Sequence, residues 1–234
     1  NNTVLSMHAD HAGNLWLGLD KGIDRVEMAA PIRWHTDLTG QLGSVYSAVL
    51  FEKNLFVGTN QGVFLRPFFG ENTDNFKLIP GTQGQVWQLQ SFGGQLICGH
   101  NDGTFLIKNK TVTRISPITG GWATVEISGA PDKLLQGTYG GLVVFEKKSR
   151  GLGSNWAFSH RVEGFDKPVK ELAFDGAGNL WICHPNAGLW AVKLGADFKK
   201  ITEIRPISGL PTDFKVSLSR AGGQLLARAG GHFF

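Results

Sequence analysis

Several features that mark specialised proteins are scarce in this chain. Cysteine occurs only at Cys98 and Cys183 in 234 residues, so there is no disulfide framework, and the pattern is neutral about redox compartment. No uninterrupted apolar run approaches the roughly 20 residues a helix needs to cross a bilayer, and no signal peptide is visible. The opening Asn1-Asn2-Thr3 has no initiator Met, which suits an excised piece of a longer secreted chain. Charge is not clustered: the net charge is +4 and the pI about 9.1, yet Lys147-Lys148 and Lys199-Lys200 are the only lysine pairs. A nucleic-acid groove needs a basic stripe interleaved with stacking aromatics, so the balance reads as a solvated surface. Neither nucleic-acid nor direct membrane contact is expected. Gly-x-Ser-x-Gly, Walker and His-Glu-x-x-His phrases are missing as well, which removes the best-marked hydrolase, nucleotide and zinc-protease chemistries.

What the chain does contain is repetition. A phrase of the form Leu-aromatic-aliphatic-Gly-Thr returns six times, its fourth residue falling at Gly18, Gly58, Gly99, Gly137, Cys183 and Arg228, in steps of 40, 41, 38, 46 and 45 residues. A period of roughly 40 to 50 residues built from strands and turns is the signature of β-propeller blades. The expected fold is therefore all-β, a β-propeller of four-stranded antiparallel blades, with repeats over 1–40, 41–81, 82–118, 119–164, 165–208 and a truncated 209–234. Because a propeller closes to hide its sheet edges, five and a half blades predict part of a six- to eight-bladed ring. The missing strands would come from before Asn1, after Phe234, or both. Cys98 and Cys183 lie in non-adjacent blades, where the roughly 7 Å Cα limit for a disulfide cannot be met, so two buried thiols are expected.

Each repeat resolves into short runs rich in β-branched and aromatic residues. In the first these are Val4 to His8, Leu15 to Leu19, Ile23 to Met28 and a weaker Ile32 to His35; the sixth stops in its third run at His232-Phe233-Phe234. Asp10-His11-Ala12-Gly13-Asn14 and Asp175-Gly176-Ala177-Gly178-Asn179 read as turns in which Asp accepts backbone N–H bonds and Gly takes positive φ. Gly22, Gly62, Gly103, Gly141 and Gly188 open the third strands and read as structural. Blades pack on both faces, so Trp16, Phe56 and Trp181, at one repeat position, are expected between sheets.

At Asp10-x-x-Gly13-Asn14-Leu15-Trp16-Leu17-Gly18 and Asp175-x-x-Gly178-Asn179-Leu180-Trp181-Ile182 the sequence resembles the two-component regulator propeller repeat. Degenerate copies at Leu55 to Val63 and Leu134 to Leu142 keep the Gly-Thr-x-x-Gly part, while Cys183 and Arg228 replace the usual Gly and His100 and His184 the usual Thr. The resemblance implies the periplasmic sensor region of a bacterial receptor, often followed by a triple-tyrosine domain and coupled to a histidine kinase or a DNA-binding output. Its partners would be a small-molecule or oligosaccharide ligand, the remaining blades of the receptor and a second copy in a homodimer. No cofactor is implied, and any kinase activity would lie outside this chain.

The expected binding surface is the face where second-to-third-strand loops meet the starts of first strands. It would carry Asn60, Gln61, His100, Asn101, Asp102, Tyr139, His184 and Asn186 on loops, with Tyr46 and Trp87 at matching places and Trp122 one place earlier in its repeat. Aromatic faces with amide, acid and imidazole groups suit a neutral or acidic sugar. Two alternatives stand beside this reading. One is an interaction scaffold; the other is a metal-dependent enzyme resembling virginiamycin B lyase, with His100 or His184 as general base. His8-Ala9-Asp10-His11 makes a poor metal site, because His11 leaves the side that His8 and Asp10 share.

Overall fold

The computed structural model describes residues 3–28, 37, 40–68, 75–150, 153–210, 215–230 and 232–233. The chain falls into two compact units, Asn1–Gly40 and Gln41–Phe234. The first is one antiparallel sheet of β1 (Val4–Ala9), β2 (Asn14–Leu19) and β3 (Gly22–Glu27); the expected fourth run, Ile32 to His35, lies outside the described residues.

The second unit holds five sheets, each an antiparallel meander in chain order. Blade 2 has β4 (Val45–Phe51), β5 (Asn54–Thr59), β6 (Val63–Pro67) and a short β7 (Lys77–Leu78); blade 3 has β8 (Val86–Phe92), β9 (Gln95–His100), β10 (Gly103–Lys108) and β11 (Thr111–Ser116). Blade 4 has β12 (Thr124–Ile127), β13 (Ala130–Thr138), β14 (Gly141–Arg150) and β15 (Gly153–Arg161). Blade 5 has β16 (Glu171–Phe174), β17 (Leu180–His184), β18 (Gly188–Leu194) and β19 (Ile201–Pro206), and blade 6 has β20 (Ser217–Ala221), β21 (Gln224–Ala229) and β22 (His232–Phe233). Phe234 is outside the described residues. No described residue is helical.

Turn chemistry sets the meanders. Asp10 and Asp175 each accept the backbone N–H of the residues two and four ahead through Oδ1, all at 2.9 Å, while Gly13 and Gly178 take φ of 80° and 83°. The other carboxylate oxygen accepts from the next Asn and from the indole N–H of Trp16 or Trp181, at 2.9 to 3.0 Å. These bonds saturate the Asp10 carboxylate, which removes it as a metal ligand beside His8 and His11. The glycines that open third strands all have φ between 100° and 147°, a region closed to most side chains.

The core of the second unit is a series of wedges between consecutive blades. Phe56, Val63, Leu65 and Ile79 of blade 2 pack on Val86, Leu89, Leu96 and Cys98 of blade 3. Phe92, Ile97 and Leu106 of blade 3 meet Leu134, Val143, Phe145 and Trp156 of blade 4, and Leu135, Leu142 and Val144 meet Val169, Leu172, Leu180 and Ile182 of blade 5. Side chains alternate across a strand. The first and third residues of the repeated phrase (Leu96 and Cys98; Leu180 and Ile182) therefore face the preceding blade, and the second (Phe56, Ile97, Leu135, Trp181) faces the next. Trp16, in the other unit, is exposed. Both thiols are free and buried, and burial pushes Cys183 up to about 12.

The fourth position explains its glycine. A Cβ on Gly99 would collide with the Gly121 carbonyl of the next blade, and one on Gly137 with the Val169 carbonyl. Beside this approach, first-strand side chains bridge to the next blade's backbone: Ser47 accepts the Leu89 N–H at 2.9 Å, Gln88 accepts that of Thr124 at 2.7 Å, and Glu171 accepts that of Leu218. Gln136 replaces the aliphatic third residue in blade 4 and is fully buried. Its amide accepts from Thr104 Oγ1 at 2.8 Å and donates to Thr124 Oγ1 at 2.9 Å, so both ends are satisfied, as burial requires.

Two outcomes follow. Gly99→Ala should lower stability by about 1–3 kcal/mol in urea unfolding, whereas Gly176→Ala, with no atom within 4 Å and no positive φ, should stay within about 0.5 kcal/mol. The Asp175 bonds hold its pKa at about 2 against an ordinary 3.8. A depressed folded-state pKa gives stability that is complete above the unfolded value and lost as pH falls toward the folded one. Acid titration of the unfolding midpoint from pH 5 to pH 2 should therefore be flatter in Asp175→Asn than in wild type.

Candidate functional site

In blades 2 and 3 the ladder between first and second strands slips by one residue, between Val45 and Ser47 and between Val86 and Gln88. A bulge residue is left unpaired and its side chain is re-aimed; here those residues are Tyr46 and Trp87. Trp122 holds the equivalent place in blade 4, since its N–H donates to the Gly137 carbonyl at 3.0 Å while the Gly137 N–H donates to Ala123 at 2.9 Å. It is thus in register with Tyr46 and Trp87, not one place earlier. Lys170 takes the position in blade 5, donating its backbone N–H to the Cys183 carbonyl at 2.9 Å.

The three aromatic bulge residues form a continuous row. Tyr46 and Trp87 have ring centroids 5.4 Å apart, Trp87 and Trp122 6.0 Å. Trp122 also meets Tyr139 at 4.6 Å and His184 at 5.6 Å. The Tyr139 hydroxyl donates to Asn101 Oδ1 at 2.8 Å, and Asn101 Nδ2 donates to Asp102 at 3.0 Å. Tyr46 is exposed; Trp87, Trp122, Tyr139 and His184 are half-buried. The indole N–H groups of Trp87 and Trp122 are enclosed and meet no acceptor among the described residues.

The remaining predicted residues serve their own turns. Asn60 Oδ1 accepts the Ser44 N–H at 2.8 Å, and Gln61 donates its backbone N–H to Thr59 Oγ1 at 3.0 Å. Thr59 and Thr138 cap their turns alike: each hydroxyl accepts the N–H two residues on, at 3.0 and 3.2 Å, and donates to the following Gly carbonyl, at 3.1 and 2.9 Å. His100 and His184 fill the Thr position and reproduce the accepting half, taking the Asp102 N–H at 3.0 Å and the Asn186 N–H at 3.3 Å on Nδ1.

His100 is only 1% exposed, so it presents no ring to a ligand, in contrast to the sequence expectation. Burial lowers its pKa, the Asp102 charge and the Thr82 and Gln83 backbone partly opposing. His184 is lowered by burial and then by the Lys170 charge. Both shifts favour the neutral ring, the form in which Nδ1 can accept.

Sequence reasoning missed Lys170. The separation of bulge residue from the fourth phrase residue runs 12, 12, 15 and 13 in blades 2 to 5, so counting along the chain does not align them. Only the strand pairing does.

No family model and no curated protein matches the chain. Among solved structures it is similar to an extracellular domain assigned to the hybrid two component system BT3049 of B. thetaiotaomicron, at TM-score 0.63 and 17% identity over 99% of this chain and 32% of that one. It is also similar to an extracellular domain assigned to the one component system BT4673 of the same organism, at TM-score 0.57 and 17% identity over 99% and 31%. The AfRom2 CNH domain matches at TM-score 0.51 and 12% identity over 100% and 72%. The chain spans about a third of the length of the two bacterial domains. The fold is a β-propeller, and the similar bacterial structures are consistent with the regulator-propeller resemblance.

His100→Ala should remove the turn cap and destabilise by about 1–3 kcal/mol. His100→Asn, which places Oδ1 where Nδ1 stood, should recover at least half in urea unfolding; equal losses would remove the capping role.

Proposed function

We propose that this chain is a ligand-sensing propeller segment of a bacterial receptor, extracytoplasmic and periplasmic in location, acting by binding and not by chemistry. One observation carries the reading: the row Tyr46, Trp87 and Trp122, extended by Tyr139 and His184 across four blades. Pyranose rings bind by laying apolar C–H faces on aromatic side chains and bonding hydroxyls to amides and acids, and Asn101 and Asp102 stand beside the row. A row running across blades lets a ligand report on their relative placement. Signal then needs different affinities for two receptor arrangements, such as two packings of a homodimer. The similarity to extracellular domains assigned to one and two component systems supports sensing over catalysis.

The test is thermal unfolding of the parent protein against a panel of oligosaccharides. A ligand at 100 times its Kd stabilises by about 2.7 kcal/mol, and Tyr46→Ala and Trp87→Ala should each weaken it about tenfold. Stabilisation that survives both substitutions would place the ligand elsewhere; a folded parent protein that responds to no saccharide would favour a scaffold.

A further inference from the structure

Lys170 ends the series of bulge residues at Tyr46, Trp87 and Trp122 with a cation where the others carry rings. It is exposed and forms no ion pair among the described residues. Its backbone N–H is bonded to the Cys183 carbonyl at 2.9 Å, next to His184, whose ring packs on Trp122 at 5.6 Å, which sets Lys170 at the blade 5 end of the row. Arg161, at the end of β15, brings a second cation: its Nη1 lies 3.6 Å from where a Cβ on Gly140 would stand, beside Tyr139. Arg161 also lacks an ion pair among the described residues, whereas Arg114, in the matching fourth strand of blade 3, spends its guanidinium on the Asp102, Ser116 and Pro117 carbonyls. Of the acids around the row, Glu171 accepts the Leu218 N–H and Asp102 accepts from Asn101, while Asp166, by the Gly141 turn, is exposed and forms no ion pair with either cation among the described residues.

We infer that the site selects an acidic saccharide, the rings of Tyr46, Trp87 and Trp122 receiving the sugar faces while Lys170 and Arg161 meet a carboxylate at the blade 5 end. This rests on the reading of the aromatic row as the ligand site. Arginine and lysine without a protein partner are the groups that pair carboxylates in charge-assisted hydrogen bonds, and a neutral glycan would leave both cations unused.

The test is calorimetric titration of the parent protein with trigalacturonate and with galactotriose, for wild type, Lys170→Gln and Tyr46→Ala. Wild type should bind the uronate at least about tenfold tighter than the neutral sugar, with the preference shrinking as salt rises. Lys170→Gln should cost the uronate about tenfold and leave the neutral sugar unchanged, while Tyr46→Ala should weaken both. Equal wild-type affinities, or a silent Lys170→Gln, overturn the charge inference and leave the row standing. A silent Tyr46→Ala overturns the row itself, and binding of neither sugar overturns both.

Discussion

Every sheet in the second unit must be covered on both faces, and the approach of one blade to the next is limited by the fourth residue of the repeated phrase. With glycine there, the next blade's carbonyl comes to within the space of a methyl group, as at Gly99 and Gly137. The wedges beside that contact can then close on aliphatic side chains, each buried side chain contributing about 1.5–3 kcal/mol. Blade 5 departs from glycine at this position. Cys183 occupies the gap, and its thiol meets the Val216 carbonyl at 3.3 Å. The wedge that follows has the smallest buried cluster, Cys183, Leu189, Val216 and Ala229, and beside it opens a cavity of about 770 Å³ whose lining includes Trp181, Leu218 and Leu225.

That constraint also shows what can be read from the sequence. A fixed Gly, an aliphatic on either side and an Asp-x-x-Gly-Asn turn are local features set by backbone geometry. The strands they define match the observed ones to within a few residues, down to the third strand of blade 6 at His232. Interactions that cross from blade to blade leave no local trace. Gln136 reads as a defect in an apolar phrase, and only the pairing of blades 3 and 4 shows Thr104 and Thr124 waiting for its two ends. Ser47, Gln88 and Glu171 are three unlike side chains with one task, reaching the next backbone, so no pattern of residue types reveals them.

The two histidines show the same limit from the other side. In sequence, an imidazole in place of Thr suggests chemistry, since histidine is the side chain that changes charge near neutral pH. In the fold, the turn needs an acceptor two residues ahead of an N–H, and Nδ1 meets that need as Oγ1 does. The substitution therefore keeps the accepting half of the cap and gives up the bond that Thr donates to the following Gly carbonyl. Its difference lies in the rest of the ring, which is buried at His100 and lies against Trp122 at His184. Only the second histidine adjoins the row, and its position there follows from the cap.

The bulge gives the site its freedom. A residue in register on a first strand faces one wedge or the other, and its size is fixed by packing. The bulge re-aims its residue's side chain, and at Tyr46 and Trp87 that side chain meets the ring of the next blade's bulge residue. In blades 2 to 5 these positions hold Tyr46, Trp87, Trp122 and Lys170, a run of unlike chemistries, each followed by a residue that differs as much: Ser47, Gln88, Ala123 and Glu171. Three of those followers share one task, accepting a backbone N–H of the next blade, which leaves the bulge residues as the neighbouring positions without it.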